Sequence, residues 1–193
     1  MVAMSFQLTG LPEADAVLDQ DPFALVSAMM LDQQYPMEHA FRGPWKVLQR
    51  FGTLEPSAIA AADPDAFAAL CATPPAVHRY PGAMAARLQE LARVVADEYD
   101  GDASRIWTEA PTGAELLRRV QALPGFGKQK AQIFVALLAK QLGVRPDGWQ
   151  KAAGDYALEG YRSVADVVNS VSLEKVRDYK KAKKAAAASR PTS

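Results

Sequence analysis

LPGFGKQKA, running from Leu123 to Ala131, reads as a tight reversal between two helices. Pro124 blocks helix propagation, and Gly125 and Gly127 allow the positive φ that such a reversal uses. With no Cβ at either glycine, a phosphate can approach the backbone N–H groups, and the start of the following helix adds unpaired N–H groups and a positive dipole end. Lys128 and Lys130 put charges beside that site. The next run, AQIFVALLAKQLG, is apolar on nearly every face and predicts a helix buried in a core, stopped by Gly143. Past it, Val144-Arg145-Pro146-Asp147 brings a carboxylate 147 − 129 = 18 residues beyond Gln129.

The hairpin, the buried helix and the Asp at this spacing resemble the helix-hairpin-helix (HhH-GPD) DNA glycosylase superfamily, whose hairpin has the form LPGxGxxxA and whose following loop ends in a catalytic Asp. The likeness covers about residues 21–150 and is strongest at 123–147. It implies an all-α fold of about ten helices with a small second lobe built from the chain ends. Three segments follow: an N-terminal extension (1–20), the glycosylase-like domain (21–150), and C-terminal helices with a basic tail (151–193).

Composition agrees with that class. A chain of 193 residues is long enough for one domain with a real core. Ala is abundant, strand-type alternation is absent and Pro recurs at segment boundaries, all of which favour helices. Formal net charge is zero, which by itself argues against nucleic acid, but the charge is unevenly distributed. Arg118, Arg119, Lys128 and Lys130 stand without an acid in 118–130, and 175–190 holds seven Lys or Arg against Asp178. The single cysteine, Cys71, excludes an intramolecular disulfide, fits a reducing cytoplasm, and excludes the four-cysteine iron–sulfur cluster of several glycosylase branches. No cofactor is expected, although the hairpin carbonyls are candidate ligands for a monovalent cation. No stretch is long and apolar enough for a membrane, so the expectation is a cytoplasmic monomer acting on double-stranded DNA.

Other segments take their places around the hairpin. Asp21-Pro22 is an N-cap followed by proline and opens a helix whose end carries Gln33 and Gln34. The stretch AMMLDQQYP is similar to the family segment that ends near the minor groove, most like the alkylpurine branch with its paired Gln; the plain alternative is two solvated amides. Residues 37–51 predict one amphipathic helix, and Pro56 and Pro64 start two short ones. A loop with His78, Arg79 and Tyr80 precedes a long helix, and the resemblance makes these three, with Trp149, candidates for the base pocket. Thr112 and Glu115 form a capping box at the start of the first hairpin helix. The final helix, begun near Ser172, runs into a basic tail suited to nonspecific phosphate attraction.

A glycosylase passes through a transition state resembling an oxocarbenium ion, so a carboxylate near the sugar is useful, and the resemblance assigns that role to Asp147. The endonuclease III branch places a nucleophilic Lys at the position held here by Gln129, which has no amine and cannot form a Schiff base. Lys128 and Lys130 flank it but point about 100° away. The resulting expectation is a monofunctional glycosylase for a damaged, alkylated base. Its DNA contacts are Gly125, Phe126, Gly127, Lys128, Gln129, Lys130, Ala131, Gln33 and Gln34. A non-catalytic DNA-binding relative and a glycosylase/lyase using Lys128 or Lys130 remain as rivals.

Overall fold

A proline in the first turn opens six of the helices in the computed structural model, which describes residues 5–189. They are α1 (Pro12–Gln20), α2 (Pro22–Leu31), α4 (Gly43–Phe51), α5 (Pro56–Ala61), α6 (Pro64–Ala72) and α7 (Pro81–Glu98). Proline costs nothing there, since its missing N–H has no partner in the first turn anyway. Between and after them lie α3 (Met37–Phe41), α8 (Arg105–Thr108), α9 (Gly113–Gln121), α10 (Lys128–Leu142), α11 (Trp149–Ala153) and α12 (Ser170–Ala188), with 3₁₀ turns at Gly154–Ala157 and Val164–Asp166. Among the described residues no strand forms, and no helix is long and apolar enough to cross a membrane.

Two helices are sunk in the core. In α2, nine of ten residues are buried, and the Asp21 side chain caps the helix by accepting from the N–H groups of Phe23 and Ala24. Such a cap is worth about 1 kcal/mol. In α10, Ala131 and Phe134 to Ala139 are buried. Helices α5 and α6 pack on α7, α9 and α11 pack on α10, and α1, α3 and α4 pack around α2.

Residues 5–20 are more than an extension. Phe6 and Leu8 are buried in the same continuous core as α2 and α10. Asp15 holds that segment by accepting from the N–H groups of Leu8 and Thr9, and Asp19 accepts from Phe6 N–H. Val176 of α12 joins this core from the other end of the chain. Arg190, counted above with the basic tail, lies outside the described residues.

The single helix expected over 37–51 is broken in two at Arg42, because Pro44 offers no N–H to continue the ladder. Only half of the expected capping box forms. Thr112 Oγ1 accepts from Glu115 N–H, while the Glu115 carboxylate turns to Arg118 and Arg119. Those two guanidiniums pull the Glu115 carboxyl well below the ordinary range, to about 2.

Candidate nucleic-acid interface and cavity

In the hairpin between α9 and α10, Leu123 O accepts from Phe126 N–H at 3.2 Å. Gly125 is required twice over: its φ is +82°, and a Cβ on it would sit 2.8 Å from Cγ of Met30 in α2. Gly127 corrects the expectation of a second positive φ. Its backbone is ordinarily extended (φ −87°, ψ −179°), and a Cβ there would meet nothing within 4 Å. The fold therefore makes no demand for glycine at 127, and the space above the start of α10 stays open to a ligand. Lys128 and Gln129 are exposed there. Phe126 and Ala131, expected at the DNA, are instead buried, Phe126 with its ring 6.0 Å from that of Phe134. Their apolar side chains anchor the hairpin to the core.

Beside the hairpin, α2 ends in Asp32-Gln33-Gln34. The Gln33 amide donates to Met30 O at 2.9 Å, and its Oε1 accepts from Arg87 at 3.1 Å, so this side chain is committed to holding the turn. Gln34 is exposed and held at φ +52°, a left-handed conformation uncommon for a residue with a Cβ. His78 is buried: Nδ1 accepts from Tyr80 N–H, which leaves Nε2–H to donate to Gln33 O at 2.9 Å. Burial lowers its pKa below the usual histidine value. The ring thus braces the Gln33–Gln34 turn. Arg79 and Tyr80 are exposed and stack on each other at 5.7 Å.

A cavity of about 630 Å³ opens between the end of α2, the first turns of α10, and α12. Its wall includes Asp32, Gln34 and Tyr35 from the α2 side, Gln129, Lys130 and Ile133 from α10, and Tyr156 from the 3₁₀ turn. Tyr179, Lys180 and Lys183 close it from α12. Gln129 and Lys130, adjacent in sequence and expected to diverge, both reach this cavity. Gln129 Nε2 donates to the Tyr156 hydroxyl at 2.8 Å, and Lys130 Nζ donates to Met30 O at 2.9 Å.

Asp32 went unnoticed in the sequence reading. Burial raises its pKa above the ordinary aspartate value, against the pull of Lys180 and Lys130, while Glu38 pushes it further up. Burial likewise drives the Lys130 ammonium down, to about 8, opposed by Asp32 and reinforced by Arg87. One signal was present in the sequence. An acid directly after the apolar run of α2 stands at the negative end of the helix dipole, an unfavourable place that needs another reason.

Asp147 lies elsewhere. It is exposed, and its carbonyl accepts from Gly113 N–H at 2.8 Å, where the start of α9 meets the chain after α10. Gly113 makes this crossing possible, since a Cβ there would come within 2.6 Å of the backbone of Gly148 and Trp149. Path length explains the displacement. The fifteen residues of α10 run about 22 Å away from the hairpin, and five residues, 143–147, reach back at most about 17 Å. The return is completed by α11, where Ala152 O accepts from Gln132, and by Tyr156, which meets Gln129 in place of Asp147. Trp149 packs at the same remote crossing, with Arg145 5.7 Å from its ring. None of His78, Arg79, Tyr80, Asp147 and Trp149 lines the cavity.

A thermostable thymine-DNA glycosylase is similar in structure at a TM-score of 0.43 and 18% identity, over 83% of this chain and 70% of that one. A search of curated proteins gives no match. The family model described as HhH-GPD superfamily base excision DNA repair protein matches residues 27–190, a span that takes in the second half of α2, the hairpin, α10 and α12. With most of its length matched, the chain belongs to the HhH-GPD superfamily of base excision DNA repair proteins.

Proposed function

We propose that this protein is a monofunctional DNA glycosylase that draws a damaged base, an alkylated purine, out of duplex DNA into the cavity and hydrolyses its glycosidic bond with the help of Asp32. One observation carries the reading: a half-buried carboxylate shares a cavity with the first turn of the hairpin helix and with Gln34. The open N-terminus of α10, with Gly127 and Lys128, takes backbone phosphate. Gln34, presented at φ +52°, fills the gap left by the extruded nucleotide. Tyr35, Tyr156 and Tyr179 supply ring faces for the base, and an electron-poor alkylated purine suits them best. Asp32 stabilises the cationic sugar as the C1′–N bond breaks and accepts a proton from the attacking water. The hairpin's holding of a monovalent cation belongs to the same proposal, since Leu123 O accepts one hydrogen bond and keeps a second lone pair.

A lyase reading is favoured by one observation, the presence of the Lys130 amine in the same cavity. Against it, Gln129 has no amine and Lys130 Nζ is engaged by Met30 O.

One experiment separates these readings. Duplexes carrying a panel of modified bases are incubated with wild type and with Asp32→Asn, then divided between alkali treatment and borohydride trapping. Wild type is expected to leave alkali-sensitive abasic sites and no trapped adduct. Asp32→Asn should bind duplex at least as well and release base about 10²–10³-fold more slowly. Equal release by both proteins removes Asp32 from the chemistry, an adduct lost in Lys130→Ala establishes the lyase, and binding without excision across the panel leaves a non-catalytic DNA clamp.

A further inference from the structure

Helix α12 is nineteen residues long yet buries only Ser172 and Val176, so core packing does not account for its length. Its cavity-facing residues fall into helical register: Tyr179, Lys183 and Ala187 form one row four residues apart, and Lys180 and Lys184 form the row beside it. The Arg177–Glu38 ion pair ties this helix to α3 and keeps those rows over the opening. Lys183 stands 5.7 Å from the centroid of the Tyr156 ring, whose hydroxyl accepts from Gln129 of the hairpin helix. Charge around the cavity is unbalanced. Lys130, Arg162, Lys180, Lys183 and Lys184 line it, and Asp32 is the one acid among the lining residues. Such a surplus of cations suits an anion, and it lines the same opening as the carboxylate and the hairpin helix.

We propose that α12 binds the phosphodiesters flanking the extruded nucleotide, so that the protein holds DNA with two separate grips: the hairpin on the duplex and α12 on the nucleotide that has left it. The proposal rests on the DNA-binding reading above. It gives Lys180, Lys183 and Lys184 a specific task in place of a general attraction for DNA. A phosphodiester fits better than a free carboxylate because two consecutive phosphates can span the one-turn spacing of Lys180 and Lys184 while the base between them enters the tyrosine-lined space.

The test compares wild type, the triple variant Lys180→Gln/Lys183→Gln/Lys184→Gln, the corresponding triple Arg variant, and Lys128→Ala. Each is titrated over a salt series with a perfectly paired duplex and with the same duplex carrying one unpaired, bulged nucleotide. Wild type should prefer the bulged duplex. The triple Gln variant should lose that preference, its salt slope on the bulged duplex falling by about two to three units with little change on the paired one. Lys128→Ala should lower both slopes alike, and the triple Arg variant should keep wild-type behaviour. The three lysines are exposed, so a thermal melt of the Gln variant should match wild type. Retained preference in the triple Gln variant, or no preference in a wild type that binds both duplexes, overturns the second grip while leaving the DNA-binding reading intact. A wild type that binds neither duplex overturns both.

Discussion

Lys130 is where folding and recognition pull against each other. Its ammonium is held partly out of water, between Asp32 and the Met30 carbonyl, at a pKa of about 8 where a free lysine has 10.5. The folded value lies below the unfolded one, so the fold carries the cost of the charge below about pH 8 and is relieved of it as pH rises from there toward 10.5. Phosphate binding has the opposite preference, since it wants the charge. Duplex affinity should therefore fall as pH passes about 8, measured at constant salt, and Lys130→Arg, which keeps its charge, should flatten that limb. An unchanged profile in Lys130→Arg would place the titrating group elsewhere. At this scale the sequence was a partial guide. Gly125 adopts the positive φ that the motif implies, because a turn is a local affair. Asp147 stands at the start of α9 and outside the cavity because residue spacing measures chain and not path, and a long α10 uses up the distance. Asp32 and Tyr156 come to share a cavity through packing of segments more than a hundred residues apart, which periodicity does not report.

Among the elements, the hairpin offers a clean contrast between a glycine the fold needs and one it does not. Gly125→Ala must strain a backbone at φ +82° and displace Met30, so it should destabilise by about 1–3 kcal/mol, read as a lower melting temperature. Gly127→Ala should melt within about 0.5 kcal/mol of wild type. Its duplex affinity should nonetheless fall about tenfold, roughly the worth of one hydrogen bond to a charged group. A Gly127→Ala protein that binds normally would mean that DNA does not come close there. Helix starts were the most legible elements, since proline and the Asp21 and Asp63 caps act within three residues of themselves. The break at Arg42 and the place of α12 were not, one because the apolar pattern continues across Pro44 and the other because a lysine-rich helix looks the same whether it faces solvent or a cavity.

On the scale of the whole molecule, the fold gathers five cations around one cavity although the composition is formally neutral. Arg87 in α7 touches the Gln33 turn beside the hairpin, while Asp97, Glu98, Asp100 and Asp102 lie at the far end of that helix and just beyond it, about 17 Å along from Arg87, with Arg105 paired to Asp100. The all-α architecture was foreseeable from helix periodicity and from the family resemblance, but the packing of Phe6, Leu8 and Val176 into one core and this gathering of charge were not, because they depend on which way each helix runs. The gathering of charge bears on how the protein behaves in a tube. With a sequence pI near 6.7 there is little net repulsion to keep copies apart, and the basic cavity wall of one copy attracts surface acids of another. In dilute buffer near neutral pH the purified protein should turn cloudy or sediment as oligomers, and added salt should clear it. The same salt loosens its hold on phosphate, so the ionic strength that keeps the sample dispersed and the one that lets it grip DNA compete within a narrow range.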